Sequence, residues 1–188
     1  ERSTGTDRND NVQYYGLENR QHVGYDSTLE TGPYNFSEAY SRPNWVEFFS
    51  FQPGMLVWYA DKSQPDNNTT QHPGYGQALP VDARPEPFTF PDGTKPGNRR
   101  QPYDATFGVN PIQSLCLHKE VLRGKKKVQV LEACQTDTAP IATFDDSDVD
   151  AYWSADNPLS STKVAGVGVT AEVLRNDGDS LVVRVTNP

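Results

Sequence analysis

The sequence predicts a mainly β protein, an antiparallel sandwich of the jelly-roll type with long loops and a C-terminal β-hairpin. Three observations indicate this class. The 14 glycines and 15 prolines interrupt almost every window that is long enough for a helix. Apolar residues alternate with a period of two in several segments, which is typical of strands. Aromatic residues make up 11% of a chain that is only 35% hydrophobic, so rings must supply much of the core.

The predicted organisation is one β-rich domain over 11–188, preceded by a flexible tail at 1–10. The first strand is NVQYYGLENR (11–20). The strongest is GMLVWYA (54–60), which is apolar on both faces and is therefore expected in the middle of a sheet.

Three further segments complete the predicted strands. QALPVDA (77–83) contains a proline, which favours the edge of a sheet. KVQVLEA (127–133) alternates less regularly. Within 165–188, two alternating apolar runs flank Asp177-Gly178, a dipeptide typical of hairpin turns, so the chain is expected to end in a hairpin.

Charge and composition exclude several classes of protein. The net charge is −8 and the isoelectric point is about 4.8, so the surface repels phosphate backbones and nucleic acid is not an expected partner. The one basic cluster, RGKKKV (123–128), is interpreted as a solvated strand edge protected by lysines. No apolar run is long enough to span a membrane.

Catalytic motifs are not found, and no catalytic residue is predicted. His22, His72 and His118 do not stand in the His-Glu-x-x-His spacing of zinc peptidases. A G-x-S-x-G nucleophile elbow and a glycine-rich phosphate loop are also missing.

Two runs are dense in side-chain oxygens, the ligands that calcium prefers. The preferred candidates lie in FDDSDVD and are Asp145, Asp146, Asp148 and Asp150. The weaker candidates lie after the strongest strand and are Asp61, Asp66 and Asn68. Neither run has EF-hand spacing. The alternative is Asx-turn chemistry, in which these side chains bind their own backbone.

The two cysteines, Cys116 and Cys134, form an even pair. In an exported protein they are expected to form one disulfide, which in the chain-entropy model contributes about 3 kcal/mol. Acidic charge and a high content of Asn, Thr, Tyr and Gly fit export. Two buried free thiols are the alternative.

A family resemblance runs through most of the chain. The block GMLVWYADKSQPDNNTTQHPGYGQALPVDA (54–83) resembles a segment of the secreted zinc metallopeptidases of the immune inhibitor A family. YYGLENRQHVGYD (14–26), YDATFG (103–108) and FDDSDVDAYW (144–153) are similar to other segments of that family in the same order. The terminal hairpin is similar as well.

The resemblance implies a non-catalytic C-terminal region of an exported precursor. The zinc-binding helix of the family is missing from these residues, so zinc and the hydrolysis of protein substrates belong to the catalytic domain of the same precursor, which is the implied partner. The domain would dock on that partner, or aid folding or substrate binding.

The alternative is a free-standing carbohydrate- or surface-binding module with a structural calcium. Exposed Trp45, Trp58 or Trp153 in a groove would favour this alternative. An exposed apolar patch would favour docking.

Overall fold

A computed structural model describes residues 12–28, 52–95, 104–114 and 116–188. Within these ranges the chain forms a short 3-10 helix, Gly24–Ser27, and eight strands. The strands are β1 Gln13–Arg20, β2 Gly54–Asp61, β3 Ala78–Val81, β4 Cys116–Arg123, β5 Lys126–Cys134, β6 Thr143–Asp145, β7 Thr170–Asn176 and β8 Leu181–Thr186. The predicted tail at 1–10 and Trp45 lie outside the described residues, and the one-domain organisation stays a prediction.

The described strands form three antiparallel sheets, with the orders β1-β2-β3, β4-β5 and β6-β7-β8. The mainly β prediction is therefore confirmed. So are the central position of β2, the outer position of β3 with its Pro80, and the C-terminal hairpin. Two strands, β4 and β6, were not predicted from the sequence.

The two three-stranded sheets bury a common core, as in a sandwich. The strand residues that meet there are Met55, Val57, Tyr59, Val81, Phe144, Ala171 and Val173. Rings fill the centre: Phe144 stacks on Tyr152 with centroids 5.2 Å apart and meets Phe107 edge-on at 5.8 Å. The buried area of the aromatic rings thus compensates for the low content of aliphatic residues.

Strand β2 is paired on both sides. Its whole length pairs with β1, and on its other side Met55 exchanges two backbone hydrogen bonds of 2.8 Å with Phe107, in continuation of the pairing with β3. This close approach explains Gly54, which begins the strand at a φ of 154°. A Cβ at Gly54 would lie 2.7 Å from the Phe107 carbonyl oxygen.

The β4–β5 hairpin packs on a separate cluster formed by Phe88, Phe90, Leu117, Leu131 and Ala133. The interpretation of RGKKKV as a solvated strand edge agrees with the structure, since all six residues are exposed and lie at the end of β4, in the turn and at the start of β5 in a two-stranded sheet. Gly124, with a φ of 63°, forms the hairpin turn together with the residue that follows it, and the remaining lysines begin β5. Clustered charge beside a glycine here marks a turn, because a tight turn exposes its side chains to water.

Cys116 and Cys134 lie directly opposite each other in this hairpin and form a disulfide, as predicted. Along the described residues, the structure has no helix with the length and apolar character needed to span a bilayer.

Candidate functional site

The loop that follows β2 starts with a buried carboxylate. Asp61 is 4% exposed, and its Oδ1 accepts hydrogen bonds from the backbone N–H of Ser63 at 2.9 Å and from the Ser63 hydroxyl at 2.6 Å. Its Oδ2 accepts from the side chains of Gln13 on β1 and Gln64. Burial opposes ionisation, but these donors outweigh it and hold the pKa of Asp61 below its usual value. Asp61 therefore closes an Asx turn and ties the loop to β1.

Asp66 and His72 fasten the middle of the same loop. The His72 Nδ1 lies 2.7 Å from the Tyr75 carbonyl oxygen, and its Nε2 lies 2.9 Å from the Asp66 carboxylate. Both neighbours are acceptors, so a doubly protonated imidazolium can donate to each. The Tyr75 carbonyl and Asp66 raise the pKa of His72, while the Asn68 N–H and His72 lower the pKa of Asp66.

The amide side chains of this loop also accept hydrogen bonds from backbone N–H groups. Asn68 accepts a hydrogen bond from the N–H two residues further on, at 3.2 Å, and Asn67 accepts one from the N–H of Ala78, at 2.8 Å. The Thr69 hydroxyl donates to the Leu159 carbonyl at 2.7 Å. Asn68 thus closes an Asx turn, while Asn67 and Thr69 join the loop to the start of β3 and to a distant segment.

The other acidic run divides its carboxylates among different partners. Asp145 accepts from the hydroxyl and the N–H of Ser147, at 2.6 and 2.9 Å, and these bonds lower its pKa. Asp148 accepts from the N–H of Asp150 at 2.9 Å. The carboxylate of Asp150 forms an ion pair with Lys163.

Asp146 differs from its neighbours because it is completely buried. Its Oδ2 accepts from the Tyr15 hydroxyl at 2.7 Å and its Oδ1 from the Val169 N–H at 2.5 Å. The Tyr15 oxygen in turn accepts from the Ala165 N–H at 3.0 Å. Burial raises the pKa of Tyr15, the Ala165 N–H opposes this, and Asp146 reinforces it. The phenol therefore stays protonated and donates, so that β1 is bound to the opposite sheet.

A third buried carboxylate, Asp104, lies where three loops meet. Asp104 is 2% exposed, and its Oδ2 accepts from Gln135 at 2.8 Å. The buried Arg84 donates to the Asp104 backbone carbonyl at 3.1 Å and to the Ala139 carbonyl. Burial raises the pKa of Asp104 to about 6, against the opposing effects of Gln135 and Arg84. Sequence reasoning missed this cluster, since its members are spread over long polar loops.

An open apolar groove of about 460 Å³ lies between β1 and the sheet of β7 and β8. Tyr15 and Phe144 form part of its lining. Its more exposed apolar side chains, 41–59% accessible, are Tyr14, Leu17, Val167 and Val185. Alternation in the sequence predicted an apolar face on the last strand, but not that both β1 and β8 would be outer strands beside an uncovered groove.

The two tryptophans within the described residues are both half-buried and engaged. The indole N–H of Trp58 donates to Glu18 at 3.0 Å. The ring of Trp153 is covered by the Lys163 ammonium, 4.0 Å from the centroid, and Gly74 packs against its edge, where a Cβ would lie 2.8 Å from Cδ1. Gly74 has a φ of 81°, and the Tyr75 N–H donates to the His72 carbonyl at 3.0 Å, so His72-Pro73-Gly74 forms a turn.

Fold and site together define a β-sandwich domain whose buried carboxylates hold loops and sheets in place and whose open feature is an apolar groove. The chain belongs to the immune inhibitor A-like metallopeptidases, since the family model of their VEG domain matches residues 8–185. The resemblance noted in the sequence is thereby confirmed.

Two relatives illustrate the relationship. The chain is 30% identical over 162 residues to the pre-pro-metalloprotease PrtV of Vibrio cholerae serotype O1, a match that covers 86% of this chain and 16% of PrtV. It is 34% identical over 114 residues to Immune inhibitor A of Bacillus thuringiensis subsp. alesti, a match that covers 57% of this chain and 14% of that protein. The chain therefore spans about a sixth of the length of these relatives.

The buried network predicts a large effect of one hydroxyl. Tyr15→Phe should lower the free energy of unfolding by about 1–3 kcal/mol, because a buried carboxylate oxygen and a backbone N–H both lose their partner. Urea denaturation measures the change. Tyr14→Phe, at the neighbouring position with an exposed ring, is the matched control and should stay within about 0.5 kcal/mol of the parent. Equal stability of the two variants would contradict the structural role of Tyr15.

Stability should also depend on pH through Asp104. The folded state holds its proton up to about pH 6, whereas the unfolded chain releases it near the usual pKa of 3.8, so stability is highest at the acidic end and falls as pH rises through this window. The loss is on the order of 3 kcal/mol. Asp104→Asn should flatten the curve and be more stable than the parent at pH 8.

Asp61→Asn is a control, because the contribution of Asp61 to stability should change with pH in the opposite direction to that of Asp104. The pKa of Asp61 is lowered on folding, so its contribution is present at neutral pH and is lost as pH falls below the usual value. This variant should therefore be less stable than the parent at pH 7. The free energy of unfolding is measured by denaturation at several pH values from pH 4 to pH 8. If it depends on pH in the same way in Asp104→Asn and in the parent, the assignment for Asp104 is disproved.

Calcium binding by 144–150 stays a prediction, since Asx turns and ion pairs account for the contacts of this run without a cation. If the ion binds the folded state, excess calcium should raise the melting temperature above that in excess chelator by mass action. Asp145→Asn and Asp148→Asn should remove that shift. Superimposable melting curves of the parent in calcium and in chelator would leave the Asx turns as the complete explanation.

Proposed function

We propose that this chain is a non-catalytic accessory domain of an exported zinc metallopeptidase that hydrolyses proteins, and that it docks on the catalytic domain of the same precursor. Membership in the family supports the accessory role. The printed names of the relatives, a metalloprotease and Immune inhibitor A, support the activity proposed for the whole protein.

The apolar groove carries the docking proposal. Soluble domains rarely leave contiguous apolar surface open unless something covers it. Here Leu17 on β1 and Val185 on β8 are 41% and 59% exposed on facing sides of one depression. We assign the catalytic domain as the occupant, because the matched region is only about a sixth of each relative, so most of the polypeptide is available to cover it.

Because the two domains belong to one polypeptide, even a small docking surface such as this groove can keep them in contact. Two parts of one polypeptide meet at an effective concentration that can reach the millimolar range for short linkers, so a modest interface stays occupied. Covering the groove removes apolar side chains from water at about 25 cal/mol per Å². Docking would then stabilise both domains, since each binds only the folded form of the other.

The carbohydrate-binding alternative has less support. Sugar stacking needs an open aromatic face, and in the described part of the chain Trp58 and Trp153 are both half-buried and in contact with other side chains. The exposed aliphatic residues of the groove suit a protein surface better than a sugar.

The test is a binding measurement between this domain and the rest of the protease, each purified separately. Leu17→Lys with Val185→Lys should weaken binding by about tenfold or more, which corresponds to about 1.4 kcal/mol. The matched control is Leu122→Lys with Val128→Lys, which changes two apolar residues of the β4–β5 hairpin with exposures of 57% and 52%. It should bind like the parent.

Both double variants replace exposed residues, so their melting temperatures should stay close to that of the parent. Equal weakening by the two variants, or no weakening by either, would reject the groove as the docking surface.

A further inference from the structure

One face of the β4–β5 hairpin brings four side chains with metal-binding chemistry together. Cys116 pairs with Cys134 across the two strands, and His118 pairs with Glu132. Side chains two residues apart on a strand project from the same face. The two pairs therefore occupy neighbouring rungs on one side of the hairpin.

The distances among three of the four functional atoms are short, and His118 adjoins that group through Glu132. A carboxylate oxygen of Glu132 and the sulfur atoms of Cys116 and Cys134 all lie within 4.8 Å of one another, the one such grouping of three potential ligands that the described residues provide. The Nε2 of His118 lies 3.6 Å from Oε1 of Glu132. Two sulfurs, one imidazole nitrogen and one carboxylate oxygen form the donor set of a tetrahedral zinc site.

We propose that the hairpin binds one zinc ion through these four side chains when its disulfide is reduced. In the disulfide form the sulfurs are bonded to each other, and the thiolates that a metal needs do not exist. Reduction by a dithiol breaks the S–S bond. The dithiol supplies two electrons and two protons, and its own sulfurs join as a disulfide. Zinc then displaces the two protons from the cysteine thiols.

The opposite face of the hairpin keeps the ligands in register without the disulfide. Leu117, Leu131 and Ala133 project from that face, are each at most 9% exposed, and pack on Phe88 and Phe90. The register irregularity falls between Val121 and Leu122, towards the turn and away from the ligands. The strand ends that carry the cysteines therefore remain side by side.

The site is also accessible. Cys134 and Glu132 are exposed, with the Glu132 side chain 52% accessible, whereas His118 is 11% accessible. A reductant and a metal ion can therefore reach the sulfurs and the carboxylate, while the imidazole is held in a more enclosed position. This site is separate from the apolar groove, so its test is independent of the docking proposal.

The experiment uses cobalt(II) alone as the probe, because tetrahedral thiolate coordination gives it visible d–d bands and a near-ultraviolet charge-transfer band. The disulfide is reduced with a tertiary phosphine. Phosphorus takes the oxygen of one water molecule, and the protons go to the two sulfurs. The reduced protein should bind one cobalt ion and release it to zinc, whereas the oxidised protein should show neither band.

Single variants test the complete ligand set. His118→Asn and Glu132→Gln keep both cysteines and should each weaken cobalt binding by about tenfold or more. Glu172→Gln, which changes a partly exposed glutamate on β7 that is paired with Arg184, is the matched control and should bind like the parent. Replacing both cysteines by serine should abolish the charge-transfer band.

Three results would overturn the proposal. The first is a reduced protein that shows no thiolate band with cobalt. The second is unchanged affinity in His118→Asn and Glu132→Gln, which would mean that the cysteines act without them. The third is loss of the β-sheet circular-dichroism signal on reduction alone, because the four ligands would then no longer share a face.

Discussion

The fold depends on one buried carboxylate. Asp146 is completely excluded from solvent. It accepts a hydrogen bond from the Tyr15 hydroxyl of the opposite sheet and another from the N–H of Val169, in the segment that leads into β7. An unpartnered charge in that position would cost several kcal/mol, so the two sheets are stable together only in the arrangement that supplies both donors. The two hydrogen bonds thereby favour the packing that brings Tyr15 and Val169 to Asp146.

Carboxylates that accept hydrogen bonds also hold the long polar loops in place, here through contacts within each loop. Asp61, Asp66 and Asp145 each accept hydrogen bonds from groups a few residues further on, so their turns form locally and need little apolar burial. This explains how a chain with 35% hydrophobic residues keeps loops of this length in place. These three carboxylates are among the candidate calcium ligands of the sequence, whereas Asp146 and Asp150 of the same set bind other partners.

Two surfaces of the domain differ in character. The groove between β1 and β8 is apolar and open among the described residues, and it is the surface proposed for docking. The cysteine-bearing face of the β4–β5 hairpin is polar and carries the disulfide, and it belongs to a part of the structure with its own small core. The proposed docking surface and the proposed metal site therefore lie on different parts of the structure.

The sequence by itself determined the strand class, the central β2 and the terminal hairpin, because apolar alternation and local turn chemistry act over a few residues. It indicated the family through the resemblance of several segments in the same order. It did not separate structural from metal-binding carboxylates, since Asp145 and Asp146 are adjacent in sequence but one is exposed and the other fully buried. The Asp104 cluster and the groove could not be predicted from the sequence either, because each is formed by segments that lie far apart in the chain. Burial and the identity of distant partners are properties of the tertiary structure, and only they decide what a carboxylate or an apolar face does.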